Sequence, residues 1–367
     1  MKILFVSIGL GGGGAEKLIS DLMPMLNGHN GISCELLILT DKEEKYLDIL
    51  RNNGVKVYIA NKRNAWQEIL FLNRVIQKGN YDIIHAHLFR PTYYCSLIKK
   101  LYCFKKSKCP KFVVTEHNTD NRRRHKKYLR SIEKWIYNSY DKILSISKGT
   151  EDSLKRWIQA DDSRFVTVYN GIDLRNFLEA REYKREDILL NCAEGDILLC
   201  MIGRFSKQKN HTFMIEVMGR LPHKYKLILL GEGGLETEIK EYVHEKNLKD
   251  RVLFIGFRND VAEIIKTSDI VVIPSLWEGF GLIAVEALAC GKQVVCSDVS
   301  GLFEVVGSVG IRVKTGDIDG FADAIKKATG KLDNKDIAVE CIKQAQKFDI
   351  SMMEAGYLDV YKRLSET

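Results

Sequence analysis

The stretch KILFVSIGLGGGGAEKLISDLMPML, residues 2–26, contains a strand, a turn and a helix in that order. Residues 2–8 are mostly apolar and include the β-branched side chains that favour a buried strand. Four consecutive glycines follow shortly afterwards, and then Leu18, Leu22 and Leu26 repeat at helical spacing. A buried strand, a glycine turn and an amphipathic helix indicate one βα unit of a parallel sheet.

The same alternation of short apolar runs and helical stretches continues in two series along the chain. In the first series, strands are predicted at residues 2–8, 34–40, 55–60, 83–87, 112–116, 143–147 and 165–169. In the second series, they are predicted at residues 197–202, 227–230, 252–255, 270–273 and 294–296. The predicted fold class is therefore α/β, with two facing Rossmann-like doubly wound domains and a central cleft that receives ligands.

The two series also set the predicted domain bounds. Residues 1–173 form the first domain, the polar residues 174–194 form a linker, residues 195–350 form the second domain, and a last helix covers residues 351–367. A chain of 367 residues is long enough for each domain to bury its own core. The contents of 45% hydrophobic and 28% charged residues are typical of globular proteins and exclude disordered and fibrous classes.

Apolar runs and cysteines bear on the cellular compartment. No apolar run approaches the roughly 18 residues that cross a bilayer, and the run from Ile3 to Leu10 is too short for a leader. The nine cysteines show neither a CxxC pair nor zinc spacing, so we expect free thiols. The expected location is cytoplasmic, with peripheral binding at the inner face of the cell membrane as an option.

Positive charge is concentrated in one stretch of the chain. The formal net charge is +8, yet residues Lys99 to Arg130 alone contain twelve Lys and Arg against two acidic residues. Aromatic and apolar side chains are interleaved with them, which suits an anionic membrane surface or a pyrophosphate-bearing partner. A solvated basic face is the alternative. Nucleic acid is not an expected partner, because no recognised binding module accompanies the charge.

The glycine run near the N-terminus admits two interpretations. Gly9, Gly11 and Gly14 fit the pattern G-x-G-x-x-G, and Asp41 follows the second strand where a ribose-binding acid would lie. This pattern alone would indicate an NAD-dependent oxidoreductase. However, four consecutive glycines satisfy many patterns, and the physical content is narrower: bare backbone amides at a helix N-terminus can approach an anion or a sugar.

A second candidate site follows the first strand of the second domain. Gly203 allows the chain to turn there, and Arg204 and Lys209 place two cations at the carboxyl end of the sheet. Two cations at this place can bind a diphosphate and stabilise the charge of a leaving group. Basic residues after a strand are also common on surfaces, so this loop alone does not decide the function.

The most specific stretch is Pro274–Gly291, which follows another strand of the second domain. Gly279 and Gly281 shape a loop whose amides can point towards a ligand, and the helix after it directs its positive end there. Glu278 lies on the loop and Glu286 lies within the helix. Carboxylates at these positions can accept hydrogen bonds from sugar and ribose hydroxyls.

Taken together, three patterns resemble the retaining glycosyltransferases of family 4, also called glycosyl transferases group 1, which have the GT-B fold. They are E-G-F-G-x-x-x-x-E-A at Glu278, G-R-x-x-x-x-K at Gly203, and G-G-A-E at Gly13. The resemblance covers essentially the whole chain, since Asn170–Asp173 and Phe254–Phe257 also fall in family order.

The resemblance implies an activity and a separate role for each domain. A sugar would pass from a nucleoside-diphosphate sugar, with UDP as the expected nucleotide, to a glycan or lipid-linked acceptor with retention of configuration, in cell-surface polysaccharide biosynthesis. The first domain would bind the acceptor and the second the nucleotide sugar, while the helix at residues 351–367 would cross back onto the first domain. The nucleotide sugar is a substrate, so no cofactor is expected.

The resemblance also implies roles for individual residues. Arg204 and Lys209 would bind the diphosphate, Glu286 the ribose, and Glu278 the transferred sugar, while His117 would lie beside that sugar. The implied catalytic residues are His117, Arg204, Lys209 and Glu278. The implied donor-binding residues are Gly13, Gly14, Gly203, Arg204, Lys209, Arg258, Glu278, Gly279, Phe280, Gly281, Leu282 and Glu286, with the backbone around Arg258 meeting the base.

Two features resemble metal sites without completing one. His85 and His87 lie at the end of one predicted strand and His117 at the end of another, facing the predicted cleft, but no carboxylate or cysteine cluster joins them. Asp317–Asp319 has the form D-x-D and precedes a predicted helix, which favours a role as N-cap. No metal is therefore expected, and Arg204, Lys209 and helix amides would take the place of the cation.

One departure and two alternatives remain. Ser300–Glu304 reads S-G-L-F-E where the family usually has G-G-x-x-E. The alternatives are the NAD-dependent oxidoreductase and a non-catalytic partner subunit with the same fold. The oxidoreductase would leave the Gly203 and Glu278 patterns unexplained.

Overall fold

The computed structural model describes residues 1–11, 13–40, 46–62, 64–102, 109–121, 123–188 and 193–366. The chain divides into two compact units, one of Met1–Gly171 with Ile350–Thr367 and the other of Ile172–Asp349. Several residues singled out in the sequence lie outside the described part: Asp41, Lys105, Lys106, Lys108, Arg122 and residues 189–192 of the predicted linker. The rest of residues 174–194 belongs to the second unit.

Seven parallel strands form the sheet of the first unit. They are β1 (Lys2–Ser7), β2 (Ser33–Ile38), β3 (Lys56–Ile59), β4 (Ile83–His87), β5 (Lys111–Glu116), β6 (Lys142–Ser145) and β7 (Phe165–Thr167). Their order is β3-β2-β1-β4-β5-β6-β7. All five residues of β4 are buried. Central strands that are buried along their whole length are typical of a parallel sheet covered on both faces.

Helices cover both faces of this sheet. They are α1 (Gly14–Asn27), α2 (Leu47–Asn52), α3 (Ala65–Gly79), α4 (Phe89–Tyr102), α5 (Leu129–Tyr137) and α6 (Lys148–Ile158). One apolar core unites buried residues of α3 to α6 with the strands, for example Leu72, Ile98, Ile136 and Trp157. The predicted helix stripe of α1 is buried as well.

Six parallel strands form the sheet of the second unit. They are β8 (Ile197–Ile202), β9 (Tyr225–Leu230), β10 (Val252–Gly256), β11 (Ile270–Ile273), β12 (Gln293–Ser297) and β13 (Ile311–Val313). Their order is β10-β9-β8-β11-β12-β13. The short strand β13 was not predicted, because its middle residue is the exposed Arg312 and it shows no apolar run. The predicted α/β class with two doubly wound units is confirmed.

The second unit has nine α-helices among its described residues, and the chain ends with a tenth α-helix that belongs to the first unit. They are α7 (Arg175–Leu178), α8 (Arg185–Ile188), α9 (His211–Arg220), α10 (Glu236–Glu245), α11 (Val261–Thr267), α12 (Leu282–Ala289), α13 (Ser300–Val306), α14 (Ile318–Thr329), α15 (Lys335–Ala345) and, last, α16 (Ile350–Ser365). None of the described helices in either unit is long and apolar enough to cross a bilayer.

Two side-chain predictions can be compared with the structure directly. The carboxylate of Asp317 accepts a hydrogen bond from the backbone N–H of Gly320 at 2.9 Å, which confirms its role as the N-cap of α14. Among the residues that the structure describes, six cysteines are free and buried, but Cys109 is disulfide-bonded. The expectation of free thiols is therefore wrong for Cys109, since pairing depends on spatial neighbours that spacing along the chain does not reveal.

The strand order reverses once in each sheet. In the first unit this happens between β1 and β4, and in the second between β8 and β11. Ligands of open α/β sheets bind at such positions, outside the carboxyl ends of the strands. The order of the strands therefore directs attention to the loops that follow these four strands.

Candidate active site

Two loops of the second unit meet where its strand order reverses. One loop, residues 203–210, follows β8, and the other, residues 274–281, follows β11. The strands are parallel neighbours, with Leu199 aligned to Ile270. Their carboxyl ends therefore lie at the same edge of the sheet, which brings the two predicted donor-binding segments together.

Hydrogen bonds join the two loops at several points. The backbone N–H of Leu276 donates to the carbonyl oxygen of Gln208 at 2.8 Å, and Nε2 of Gln208 donates to the carbonyl oxygen of Trp277 at 2.9 Å. Nδ2 of Asn210 donates to the carbonyl oxygen of Pro274 at 3.2 Å. Gln208 and Asn210 are not among the residues predicted from the sequence, because a side chain that binds a distant backbone leaves no pattern.

An ion pair is the central contact between the loops. Nζ of Lys209 lies 2.6 Å from Oε1 of Glu278, and the hydroxyl of Ser275 donates to the same oxygen at 2.9 Å. Glu278 is only 7% exposed and Ser275 is fully buried. A carboxylate at this depth needs such partners, because burial disfavours its charge. Lys209, which is predicted to bind the diphosphate, is thus in direct contact with Glu278, which is predicted to bind the sugar.

Two glycines shape the loop that carries Glu278. Gly281, the N-cap of α12, has a φ of 94°, in the left-handed region that favours glycine. A Cβ atom on Gly301 would lie 2.5 Å from the carbonyl oxygen of Glu278, so α13 can approach the loop only without a side chain there. Gly301 belongs to the stretch Ser300–Glu304 that departs from the family pattern, and its importance was missed in the sequence.

Helix α12 begins directly after this loop, with Leu282 as its first residue. The positive end of its dipole therefore lies at the loop. The ring of Phe280 is buried and packs edge-on against Phe348, with centroids 5.3 Å apart. Glu286 lies in the second turn and is half-buried, whereas both its neighbours in the chain are fully buried. The helix thus presents one carboxylate on an otherwise apolar surface.

The two predicted arginines of the second unit have different surroundings. Arg204 follows Gly203 at the end of β8, and its side chain is exposed. Arg258 follows β10, and its guanidinium binds Asp260 through two contacts of 2.8 and 2.5 Å. This pairing holds the pKa of Asp260 well below its usual range. The predicted contact with the base uses the backbone around Arg258 and does not depend on this side chain.

The remaining predicted residues lie in the first unit. Gly13 is the N-cap of α1 and Gly14 its first residue, in the loop after β1. His117 directly follows β5. Since β1, β4 and β5 are adjacent in the sheet, these residues share its carboxyl edge.

His117 belongs to a cluster of three histidine rings. His85 and His87 lie on one face of β4 with ring centroids 4.3 Å apart, and the rings of His87 and His117 are 5.4 Å apart. Burial lowers the pKa of His85 and of His87 well below the usual value, and the pKa of His117 to about 4. All three rings are therefore neutral at neutral pH. Within the described part of the chain, no arrangement of His, Cys, Asp and Glu is suited to a metal ion.

Two family models match the chain, one in each half. The model described as Glycosyltransferase Family 4 matches residues 12–176, and the model described as Glycosyl transferases group 1 matches residues 184–348. The chain belongs to glycosyltransferase family 4. The resemblance inferred from the motifs is confirmed, and this family 4 glycosyltransferase is an enzyme of the transferase class.

Curated relatives and solved structures agree with the assignment. The UDP-Gal:alpha-D-GlcNAc-diphosphoundecaprenol alpha-1,3-galactosyltransferase of Escherichia coli is 24% identical over 84% of this chain and 86% of its own. A 4-alpha-N-acetylgalactosaminyltransferase of Campylobacter jejuni, named for a diphospho-undecaprenol acceptor, is 28% identical over 81% of each chain. Anabaena HepE, solved in complex with UDP, superimposes with a TM-score of 0.84 at 20% identity and full coverage of both chains. The fold is GT-B.

The oxidoreductase alternative is wrong for this glycosyltransferase, because both halves of the chain match glycosyltransferase models. Gly9, Gly11 and Gly14 fit the dinucleotide pattern only because a run of glycines fits many patterns. Asp41, the acid that this alternative needs, lies outside the described residues.

Proposed function

We propose that this glycosyltransferase moves a sugar from a UDP-linked donor to a lipid-linked acceptor with retention of the anomeric configuration. The observation that supports the proposal best is the contact of 2.6 Å between Lys209 and Glu278 where the strand order reverses. It sets a cation suited to the diphosphate beside a carboxylate suited to sugar hydroxyls. A nucleotide sugar carries these two groups next to each other.

The diphosphate would lie against the loop after β8. Arg204 and Lys209 would bind its oxygens, and the exposed guanidinium of Arg204 has the bidentate geometry that phosphate prefers. The stem of Lys209 passes 3.0 Å from where a Cβ atom on Gly203 would lie, so a side chain there would displace the lysine. The backbone amides of residues 280–282 would add donors at the N-terminus of α12. Together these groups stabilise the charge of the departing diphosphate.

The other parts of the donor would meet neighbouring groups. Glu278 and the backbone of Gly279 would bind hydroxyls of the transferred sugar. Glu286 would accept hydrogen bonds from the ribose, and the backbone around Arg258 would bind the base. In the first unit, His117, Gly13 and Gly14 would contact the transferred sugar.

Retention would proceed without a covalent intermediate. Glu278 is the carboxylate nearest to the sugar in this proposal, and its ion pair with Lys209 and its bond from Ser275, both to Oε1, suit a role in positioning the sugar. Departure and attack on the same face would leave the acceptor proton to the leaving phosphate. The side chains then act by positioning and by electrostatic stabilisation.

The acceptor class is proposed from the relatives. The Escherichia coli and Campylobacter jejuni proteins are both named for saccharides on diphosphoundecaprenol. We propose a saccharide on a diphosphate-linked polyprenol for this enzyme too, with a role in cell-surface polysaccharide synthesis. No metal ion is expected to be required, so transfer should persist in the presence of EDTA.

Differential scanning fluorimetry with UDP, GDP and NAD tests the donor. UDP should raise the melting temperature, GDP less so, and NAD not at all. UDP-sugars that also stabilise the protein are then assayed for hydrolysis and for transfer to polyprenol-diphosphate saccharides. A response to NAD alone, or to no nucleotide, would exclude the proposed donor.

Glu286→Ala tests the ribose contact. Loss of a charge-assisted hydrogen-bond pair should weaken UDP binding by about 1.5–3 kcal/mol. Isothermal titration calorimetry measures this, with Glu238→Ala as the control, since Glu238 is an exposed glutamate on α10 of the same unit. Unchanged affinity in the Glu286 variant would remove it from the ribose role.

We also propose that the enzyme binds anionic membranes through its first unit. The basic stretch of residues 99–130 is less charged than its composition suggests. Nζ of Lys99 lies 2.6 Å from Asp141, and Nε of Arg123 lies 2.6 Å from Glu133. Both carboxylates lie beyond the stretch, so counting residues within it overestimated its unpaired charge.

The membrane contact would use the outer surface of α4 and α5, here called the α4–α5 surface. Its apolar side chains are exposed, from 38% for Leu97 to 70% for Tyr128, and comprise Leu97, Leu101, Tyr128, Ile132 and Trp135. Lys126 and Lys127 are exposed just before α5, and Nζ of Lys100 lies 2.9 Å from the ring centroid of Trp135. Aromatic and aliphatic side chains bordered by lysines suit the boundary between headgroups and acyl chains.

Liposome flotation tests this surface. The protein should float with vesicles that contain phosphatidylglycerol and not with pure phosphatidylcholine. Replacing Ile132 and Trp135 by Ser, or Lys126 and Lys127 by Glu, should abolish flotation. Lys327→Glu with Lys331→Glu, exposed lysines of the second unit, is the control for net charge. Equal flotation of all variants would exclude the α4–α5 surface.

A further inference from the structure

His85, the first histidine of the cluster, has a partner for each ring nitrogen. Its Nδ1 lies 2.6 Å from the hydroxyl of Tyr361 on α16, and its Nε2 lies 2.8 Å from Oγ1 of Thr115 on β5. The ring is fully buried. His85 therefore links β4 to α16 and β5, and both of its ring nitrogens are engaged in these hydrogen bonds.

His87 has a partner for only one nitrogen. Its Nδ1 lies 3.1 Å from Nε2 of His117, whereas its Nε2 is buried and has no hydrogen-bond partner among the described residues. The ring of Phe5 lies nearly parallel to it, with centroids 5.4 Å apart and an angle of 13°. With His85 also in contact, the ring of His87 is fixed in this orientation.

The hydrogen bond between His87 and His117 contains one proton, and its donor decides the tautomer of both neutral rings. If His87 accepted this bond, its buried Nε2 would carry an N–H without an acceptor. If His87 donates, that nitrogen keeps only an unused lone pair. Buried N–H groups without acceptors are rarer in proteins than acceptors that lack a donor. Donation by His87 is therefore the favoured arrangement.

We propose that His87 is a positioning residue that fixes the ring proton of His117 on Nδ1. His87 donates from its Nδ1 to Nε2 of His117, so that His117 presents an N–H group at its other nitrogen. The inference rests on the proposed function, in which His117 contacts the transferred sugar. His117 then binds a sugar oxygen as a hydrogen-bond donor and does not act as the base that removes the acceptor proton.

Nitrogen-15 NMR of the full chain with labelled histidine tests the tautomer directly. Two-bond proton–nitrogen correlations show which ring nitrogen of His117 carries the proton, and loss of the signals in His117→Gln assigns them. His87→Asn keeps a donor, because the amide nitrogen of Asn occupies the place of ring Nδ1, while His87→Leu removes it. We expect the proton on Nδ1 in the wild type and in His87→Asn, and on Nε2 in His87→Leu.

The kcat for sugar transfer should depend on the tautomer of His117. In His87→Leu we expect kcat to fall about tenfold through the lost hydrogen bond, with the KM for the donor little changed, and His87→Asn to restore most of it. A wild-type His117 with its proton on Nε2, or a tautomer unchanged in His87→Leu, would overturn the inference. If His87→Leu does not fold, the spectra of the wild type and of His87→Asn still decide. Absence of sugar transfer with the proton on Nδ1 would count against the proposed function alone.

Discussion

At the scale of single residues, we expect the ion pair of Lys209 and Glu278 to contribute measurably to the free energy of unfolding. Glu278 is buried, so Lys209→Met would remove the cation that pairs with its charge and leave the neutral hydroxyl of Ser275 on the same oxygen. We expect this variant to lose about 2–3 kcal/mol of unfolding free energy. Adding Glu278→Gln should restore part of the loss, because the uncompensated charge is then gone.

Urea unfolding of the wild type, both single variants and the double variant forms the complete cycle. Ser275→Ala provides a comparison in which only a neutral donor is removed from the same carboxylate. Losses that simply add in the double variant would mean that the two side chains do not interact energetically.

The motifs of the sequence singled out Lys209 and Glu278 but did not reveal the contact between them. Lys209 and Glu278 were expected to bind different parts of the donor, and each was recognised from the spacing of its own motif. The ion pair between them joins residues 69 positions apart. Such a contact depends on β8 and β11 being neighbours, and the order of strands in a sheet does not follow from hydrophobic patterns.

At the scale of elements, α13 lies so close to the loop that carries Glu278 that a methyl group added at Gly301 should destabilise the fold. In Gly301→Ala the new Cβ atom would lie 2.5 Å from the carbonyl oxygen of Glu278 and 2.9 Å from the carbonyl carbon of Gly279. Both are backbone atoms, so either the helix or the loop must shift. We expect a loss of about 1–3 kcal/mol in unfolding free energy and weaker UDP binding.

The matched control for this substitution is Gly234→Ala. A Cβ atom at Gly234 has no heavy atom within 4 Å, and its φ is not in the left-handed region. Its stability should stay within about 0.5 kcal/mol of the wild type. Thermal unfolding and calorimetry with UDP measure both variants, and similar behaviour of the two would show that the loop tolerates displacement.

The elements themselves were largely predictable. β4, β8 and β11 begin and end at the predicted residues. The apolar runs of β8 and β11 are continuous, each follows an aspartate, and they end at Gly203 and Pro274. β13 was missed, since three residues at a sheet edge need little apolar character. For α5, the sequence showed lysines and arginines but not which of them are paired, so the α4–α5 surface emerged only from the fold.

At the scale of the whole molecule, buried neutral histidines make stability depend on pH. Burial lowers the pKa of His211 to about 4, and both of its ring nitrogens are buried without a partner among the described residues. His117 is lowered to about 4 in the same way. In the unfolded chain these groups titrate near 6.5, so between about pH 6.5 and 4 the unfolded state binds more protons than the folded state.

The sign of the effect follows from this difference. The stabilisation is fully present above pH 6.5 and is lost as the pH falls towards 4, by up to about 1.4 kcal/mol per pH unit for each such histidine. Carboxylates with lowered pKa values, such as Glu151 at about 2, also lose their stabilising effect at low pH. This loss begins only when the pH approaches their pKa in the unfolded chain, near 4.5. The change in stability between pH 6.5 and 5 therefore comes from the histidines.

Urea unfolding at pH 7, 6 and 5 should show falling stability. The fall in unfolding free energy per pH unit should be smaller in His211→Leu and unchanged in His223→Gln, whose side chain is exposed. Stability that does not change between pH 7 and 5 would show that these rings are hydrated in solution and do not carry the burial cost that lowers their pKa.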